Sequence, residues 1–413
     1  MLTERQLAER VGAIPGMGRI AAALADAPPC YLVGGAVRDL LLGRLPADVD
    51  IAVEGDAEEA ARLLAAELGG TVEPHRRFGT ATIAPSAATG LPHEINLAGT
   101  RRETYQVPGA LPEVEPAPLS EDLRRRDFTV NAMAVDLVAR QPALHDPLGG
   151  CDDLAAGLIR VLHPRSFEDD PTRLLRAVRY AVRLGFALEP GTERLARAAV
   201  AAGAPATVSG GRVADELLDL LAEAEAPAGV ALMRELGLDV ALCPALAADA
   251  DLVAGAQLAA GETGADPVLA ALAALLCRRA EVGGAAGWVD RLEIGAAARD
   301  AVLRAAASAP ELAARLRGPL APSALRRLLD GEPAEALALA LALGAPGEPV
   351  LDYLGRLRHV RLEIDGADLV AAGVEPSPAL GRALDAVLER KLDGELGGRD
   401  AELAAALAAA RGA

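Results

Sequence analysis

Two carboxylates, Asp48 and Asp50, alternate with Val49 and Ile51 at the end of the stretch 31–53, YLVGGAVRDLLLGRLPADVDIAV. If 48–53 is extended, successive side chains leave opposite faces, so the aspartates share one face while Val49 and Ile51 enter a core. Two carboxylates on one face repel unless a cation lies between them. Upstream, Gly34-Gly35 lets the backbone approach a ligand closely. A helix starting near Ala36 offers free N–H groups and the positive end of its dipole. Arg38 in its first turn adds a cation for phosphate. This layout would hold a nucleoside triphosphate and a divalent metal together.

The elements that must position these groups follow from periodicity. A helical lead-in spans 2–27, then come a strand at 30–34, a helix at 36–42 and a strand at 49–53. An amphipathic helix over 56–68 has Asp56 as its N-cap, and strands are expected at 71–75, 79–84 and 93–98. A mixed sheet flanked by helices results. The run 101–120, which contains YQVPGALPEVEPAP, reads as a Pro-rich loop without regular structure. Beyond Pro171 nearly everything has helical period, with breaks at Gly185, Pro190, Gly210-Gly211, Pro244, 261–267, Pro322, Pro346 and Pro376. The tract ALALALALG ending at Gly344 reads as ordinary helix packing.

At 413 residues and 52% apolar the chain can build two to four domains, and 24% charged residues argue for a folded, soluble chain. Cys30, Cys151, Cys243 and Cys277 form no CxxC pair, which suggests neither a zinc knuckle nor a disulfide framework and fits a reducing cytoplasm. Met1-Leu2 leads into Thr3-Glu4-Arg5, unlike a signal peptide, and the apolar runs 268–277 and 336–343 are too short for a membrane span. A net charge of −18 excludes nucleic-acid binding through overall charge, so any RNA contact is local. Arginine clusters at 124–126 and again at Arg160, Arg165, Arg173, Arg176, Arg179 and Arg183, while Lys391 is the sole lysine.

Read together, LVGGAVRDLLLG and DVD resemble the opening signature of the class II tRNA nucleotidyltransferase and poly(A) polymerase family, and motif matches continue over roughly 30–245. The resemblance implies an α/β nucleotidyltransferase head of polymerase beta type with a mixed β-sheet, followed by an all-α neck, body and tail. The expected boundaries are 1–155 for the head, 156–245 for a nucleotide-selecting and RNA-binding neck, and 246–413 for body and tail. It further implies that Asp48 and Asp50 carry two Mg²⁺ ions. The family's third carboxylate, in (D/E)xxxxRxExY, falls here on Asn96, five residues before Arg101; Glu94 is the candidate replacement on the same strand face.

By the same resemblance, LRRRDFTVNA assigns Arg126 to the triphosphate, Asp127 to the ribose hydroxyls and Asn131 to ordering the segment. An ionised Asp can only accept, which suits a hydroxyl. The DPLGG turn at 146–150 reads as structural. In FEDDPTRLLRAVRYAVRLGF, Asp170 and Arg173 lie three apart at a helix start and share a face. An acceptor-only carboxylate beside a donor-only guanidinium can meet the amino group and ring acceptor of cytosine or adenine, whereas guanine and uracil present a carbonyl that Asp170 repels. The family uses that pair as a template made of amino acids. Asp170 with Pro171 also makes an ordinary helix start. Arg176 and Arg179 are implied to reach phosphate or primer RNA. In SGGRVADELLDLL, Arg212 and Glu216 are expected to form an ion pair, intrahelical or between helices.

The expected substrates are CTP and ATP and the expected partner is tRNA, with a homodimer left open. Within the family the chain could be CCA-, CC- or A-adding, or a poly(A) polymerase. The loop 106–118 carries Glu113 and Glu115 but no basic residue, which counts against full CCA synthesis, and the acidic chain lacks the basic tail of many poly(A) polymerases. A tRNA end-adding enzyme is preferred. A catalytically silent RNA-binding relative is the contrasting reading, favoured by Asn96 and opposed by Asp48, Asp50, Asp127, Asp170 and Arg173. A metal-dependent phosphohydrolase domain finds no support, since the one His-Asp pair, His145-Asp146, sits in the DPLGG turn.

Overall fold

A computed structural model describes residues 3–46, 48–75, 79–84, 94–138, 142–278 and 284–411. It divides into two compact units, one of residues up to 216 with 235–241, the other of 217–234 with the remainder.

The first unit is built on a seven-stranded mixed sheet in the order β3-β4-β5-β2-β1-β8-β9. Its strands are β1 (Cys30–Val33), β2 (Val49–Val53), β3 (Thr71–His75), β4 (Thr80–Ala84), β5 (Ile95–Gly99), β8 (Ala134–Asp136) and β9 (Leu144–His145). Only β2 and β5 run parallel, with Asp50 opposite Asn96; the other neighbours are antiparallel. The strand expected over 93–98 would begin at His93, which lies outside the described residues; the described strand starts at Ile95.

Alternation along β1 and β2 sorts the two faces. Leu32, Val49, Ile51 and Val53 enter the main core with Leu64 and Leu68 of α4 (Ala57–Leu68), and with α1 (Glu4–Gly12) and α2 (Met17–Ala23). Asp56 caps α4 by accepting from the Glu58 and Glu59 amides, as its sequence position implied. Tyr31, Val33, Ala52 and Ala134 form a smaller cluster on the opposite face with Leu119 and Leu123 of α5 (Leu119–Arg124). Asp50 belongs to this second face.

The segment 101–120 corrects the sequence reading. It holds an antiparallel hairpin of β6 (Arg101–Thr104) and β7 (Glu113–Pro116), with Arg102 paired to Glu115 across the strands. Both faces are largely polar, so no apolar alternation marks it. Pro116 pairs at the strand's end, where the missing N–H is tolerated, and Pro108 and Pro112 fall in the turn.

The helices α6 (Gly150–Ala156), α7 (Ser166–Asp169), α8 (Thr172–Leu184), α9 (Pro190–Ala201) and α10 (Gly210–Leu221) follow. Two short strands, β10 (Leu158–Ile159) and β11 (Ala187–Leu188), pair in parallel between them, too short to have a readable period. In the second unit, helices Ala250–Thr263, Pro267–Cys277, Ala296–Leu316 and Ala334–Ala342 pack on one another, the last being the Ala/Leu tract. Pro310 lies inside Ala296–Leu316 without ending it. A separate small core of Ile364, Leu369, Leu380, Val387 and Ala406 closes the C-terminal helices, where Lys391 pairs with the fully buried Glu402.

The DPLGG turn has a structural role. Asp146 accepts from the Gly150 and Cys151 amides at 2.7 and 2.8 Å, and a Cβ on Gly150 would stand 2.9 Å from Met133 Sδ and closer still to the Thr129 carbonyl. Gly150→Ala should therefore cost about 1–3 kcal/mol of stability through overpacking, read as a lower denaturation midpoint with an unchanged slope.

Candidate active site

A cleft of about 400 Å³ opens on the second sheet face. Four segments supply the walls that carry the expected site residues, and the β6–β7 hairpin adds a fifth. From the end of β1, Gly34 and Gly35 line it. Gly34 has φ +68°, a conformation that favours glycine, and a Cβ there would lie 3.0 Å from an Arg126 guanidinium nitrogen and crowd it. From β2 comes Asp50, which accepts from Asn96 Nδ2 at 3.3 Å, while Thr82 Oγ1 donates to Asn96 Oδ1 at 3.1 Å. Burial pushes the Asp50 carboxyl above its ordinary range; Asn96 and Arg126 oppose the shift and Asp48 adds to it. Asp48 is exposed, two residues away.

The RRD segment follows α5. Asp122 is buried and gathers its neighbours: it accepts from Arg125 Nε at 2.9 Å and from an Arg126 terminal nitrogen at 3.0 Å. Arg126 Nε is buried without a hydrogen-bond partner beside the Gly34 turn, an unmet donor suited to an anion. Asp127 accepts from the Phe128 amide and from Asn131 Nδ2 on one oxygen, and from Arg176 Nε and a terminal nitrogen at 2.9 and 2.6 Å on the other. Burial alone would raise the Asp122 and Asp127 carboxyls, but arginines outweigh it and hold both below the usual range: Arg126 and Arg125 at Asp122, chiefly Arg176 at Asp127.

The fourth wall is the start of α8. Asp170, just before the helix, accepts on Oδ1 from the Thr172 amide and hydroxyl at 3.1 and 2.6 Å and from Arg212 at 2.8 Å. It is thus a helix-start acceptor and a cleft residue at once. Arg173 is buried, donating to Ser166 Oγ and the Arg125 carbonyl, both at 2.7 Å, and it also lines the cleft. Arg176 bridges Asp127 and Glu216.

The cleft thus brings together Gly34, Gly35, Asp50, Arg126, Asp127, Asn131, Asp170, Arg173 and Arg176. Two expected phosphate contacts do not line the cleft but are engaged beside it. Arg38 is 4% exposed and donates to Asn131 Oδ1 at 2.8 Å and to Asp39, with Tyr180's ring 5.3 Å away. Arg179 is 7% exposed, pairs with Glu216 at 2.8 Å and lies 5.4 Å from the same ring. Arg212 and Glu216 do not pair within their helix: Arg212 reaches Asp170, and Glu216 receives both Arg176 and Arg179. Glu94 is exposed and precedes the first residue of β5, while Asn96 occupies the position beside Asp50.

Glu103, Tyr105, Arg125 and Tyr180 also line the cleft without having been singled out. The RxExY part of the signature, Arg101-Glu103-Tyr105, carried the signal for two of them. Glu103 accepts from Tyr105 and from Arg125 at 3.1 and 2.8 Å.

Among the described residues no group of three or more His, Cys, Asp or Glu side chains converges on a point. Mg²⁺ asks for less, since it commonly binds through one or two carboxylates, water and substrate phosphate. Asp48 with the half-buried, desolvated Asp50 is a hard-oxygen pair that fits it.

A seven-stranded mixed sheet with this cleft is the head of a nucleotidyltransferase. A family model described as the poly A polymerase head domain matches residues 30–160, and one described as the probable RNA and SrmB-binding site of polymerase A matches 185–249. The CC-adding tRNA nucleotidyltransferase of Deinococcus radiodurans is 37% identical over 361 residues, covering 86% of this chain and 82% of that protein. The A-adding tRNA nucleotidyltransferase of Geobacter sulfurreducens is 36% identical over 397 residues, covering 91% of this chain and 44% of that protein. The chain spans less than half the length of that relative and of the A-adding enzymes of Aquifex aeolicus and Halalkalibacterium halodurans. The solved Thermotoga maritima CCA-adding enzyme complexed with tRNA has a TM-score of 0.75 at 30% identity, covering 98% of this chain and 97% of that one. The chain belongs to the tRNA nucleotidyltransferase family.

Asp127 and Asp50, shifted in opposite directions, predict opposite stability effects. Asp127 has a lowered folded pKa, so its contribution is present above the unfolded value near 3.8 and is lost as pH falls through the folded pKa. Asp127→Asn should lose roughly 3 kcal/mol at pH 7 by unpairing a buried charge, a deficit that shrinks in acid. Asp50 has a raised folded pKa, so ionising it costs stability as pH rises from about 3.8 through the folded value. Without added metal, Asp50→Asn should melt higher than wild type at pH 7 and lose that advantage near pH 4, as measured by calorimetric Tm.

Proposed function

We propose that this chain is a template-independent tRNA nucleotidyltransferase that adds C, A or both to the tRNA 3′ end from CTP and ATP, releasing pyrophosphate. The observation that carries the reading is the meeting in one cleft of three chemistries: Asp50 beside the glycine turn, Arg126 with Asp127, and Asp170 with Arg173. Relatives of both partial activities and the tRNA-bound structure support tRNA as the acceptor. None of those names points to a poly(A) polymerase.

Asp48 and Asp50 would hold two Mg²⁺ ions. Bound there, magnesium would lower the pKa of the primer 3′-hydroxyl and neutralise charge on the triphosphate. The chain's own groups do the positioning. Arg126, with its unmet Nε, offers donors to the triphosphate at the glycine turn, where the missing Cβ lets an anion approach. Asp127, held ionised by Arg176, is the acceptor for ribose hydroxyls, which would share its oxygens with the donors it already has. Asp170 accepts from the amino group of cytosine or adenine, and Arg173 donates to the adjacent ring acceptor.

In this reading 1–155 is the head, 156–245 the nucleotide-selecting neck, and 246–413 the body and tail left to hold tRNA. Among the described residues no helix is long and apolar enough to cross a membrane, and the four cysteines are free, which suits work in a reducing cytoplasm.

The test is primer extension with Mg²⁺ on tRNA transcripts ending before the first C, after CC and after CCA, each with CTP, ATP or both. Growth of the first to CCA would make it a complete enzyme; CC only or A only would make it a partial one. A long A tail, or no extension of any transcript, would overturn the proposal. Asp48→Ala and Asp50→Ala should abolish incorporation while circular dichroism stays native. Asp170→Ala should lower incorporation of C and A and admit U and G; unchanged base choice would remove Asp170 from selection.

A further inference from the structure

Arg212 on α10 makes two contacts that share one guanidinium. One terminal nitrogen donates to Asp170 Oδ1 at 2.8 Å and the other to the Gly109 carbonyl at 3.1 Å, in the turn of the β6–β7 hairpin. That turn is firmly seated. Gly109 is buried with φ +74°, and a Cβ on it would stand 2.8 Å from the Thr207 carbonyl oxygen. The guanidinium is therefore anchored at one end to a fixed carbonyl, and its planar fork sets where its other end lies.

Asp170 has two places to go. It lines the main cleft, and it also lines a second cavity of about 240 Å³, the rear cavity, shared on the α10 side with Thr172, Arg176, Arg212, Asp215 and Glu216. The Thr172 amide and hydroxyl and Arg212 all use Oδ1, which leaves Oδ2 as the oxygen without a protein donor among the described residues. A carboxylate free to turn into the rear cavity would present its acceptor to the cleft only part of the time.

We propose that Arg212 is a positioning residue for base selection, holding the Asp170 carboxylate so that Oδ2 alone faces the incoming base. This rests on the reading of Asp170 as the base-selecting acceptor. The fork suits the task because a lysine ammonium is a point charge that cannot span both the Gly109 carbonyl and Oδ1 in fixed geometry.

The experiment compares wild type, Arg212→Ala, Arg212→Lys and Thr172→Val, which removes only a hydroxyl donor to Oδ1. Equilibrium binding of CTP, ATP, UTP and GTP is measured by calorimetry with Mg²⁺ and no tRNA, and kcat/KM is measured for each nucleotide on tRNA. Arg212→Ala should cut the preference for C and A over U and G by about tenfold, the scale of one charge-assisted hydrogen bond. Arg212→Lys should fall between, and Thr172→Val should shift the same way by less. If Arg212→Ala does not fold, the other two variants decide. A uniform fall for all four nucleotides, with the preference intact, would make Arg212 merely structural and overturn the proposal. Wild type that adds nothing to any tRNA would sink the functional reading instead, while the binding preferences still decide Arg212. Wild type that binds all four bases alike would overturn both.

Discussion

The site depends on one partly buried chain of charge, Asp127 to Arg176 to Glu216 to Arg179. It joins the RRD segment to α8 and α8 to α10, so the groups assigned to sugar and base are fixed to each other through carboxylates. Such a chain is expensive to desolvate, and replacing buried ion pairs by apolar packing is often stabilising. Its value here lies in geometry. A carboxylate gripped by Arg176 on one oxygen and by Asn131 and the Phe128 amide on the other has one orientation. Tyr180 adds to the register, with Arg38, Arg176, Arg179 and Arg183 all within 6 Å of its ring centre and Phe128 edge-on to it.

That chain also resolves the conflict between a net charge of −18 and the arginine clusters. Arg125 and Arg126 are held by Asp122, Arg176 by Asp127 and Glu216, Arg179 by Glu216 and Arg212 by Asp170. Most of the positive charge at the site is thus spent on internal carboxylates. The cluster is less a magnet for polyanions than a rigid set of donors, and long-range attraction of RNA by this surface is correspondingly modest.

What was legible in the sequence divides along the same line. Asp50, Gly34 and Asp170 could be placed in the cleft because backbone geometry dictates them: a strand's alternation, a turn that favours glycine, a helix start; Asp127 was placed by the family resemblance alone. The internal partners of Arg38 and Arg179 were not legible, because a long flexible cation on a helix reads alike whether it meets phosphate or a buried partner. The partners of Arg212 and Glu216 were similarly hidden, since i, i+4 spacing allows an intrahelical pair but tertiary packing offered each a better one. The β6–β7 hairpin escaped notice because its pairing is carried by polar cross-strand contacts such as Arg102 with Glu115, and prolines at its turn imitate a loop. The helical second unit was readable as helices alone, because nothing in an Ala/Leu period says which helix it packs against.

Selecting a base with a side chain sets a harder condition than binding one. A carboxylate discriminates against a carbonyl only through repulsion, and repulsion works only if the acceptor cannot rotate out of the way. In solution an aspartate would turn about its two side-chain torsions at little cost, and the wrong base would be admitted with one hydrogen bond lost. Three donors on a single oxygen change that balance. If Asp170 is the selecting acceptor, escaping a carbonyl would mean surrendering contacts to Thr172 and Arg212 in a partly buried site, where breaking hydrogen bonds to a charged group is costly. The penalty for the wrong base is then the smaller of two costs, bearing the clash or breaking the cage. A template of amino acids can be only as faithful as its cage is stiff, and on the proposed reading Arg212 on α10 would belong to the chemistry as much as the aspartate does.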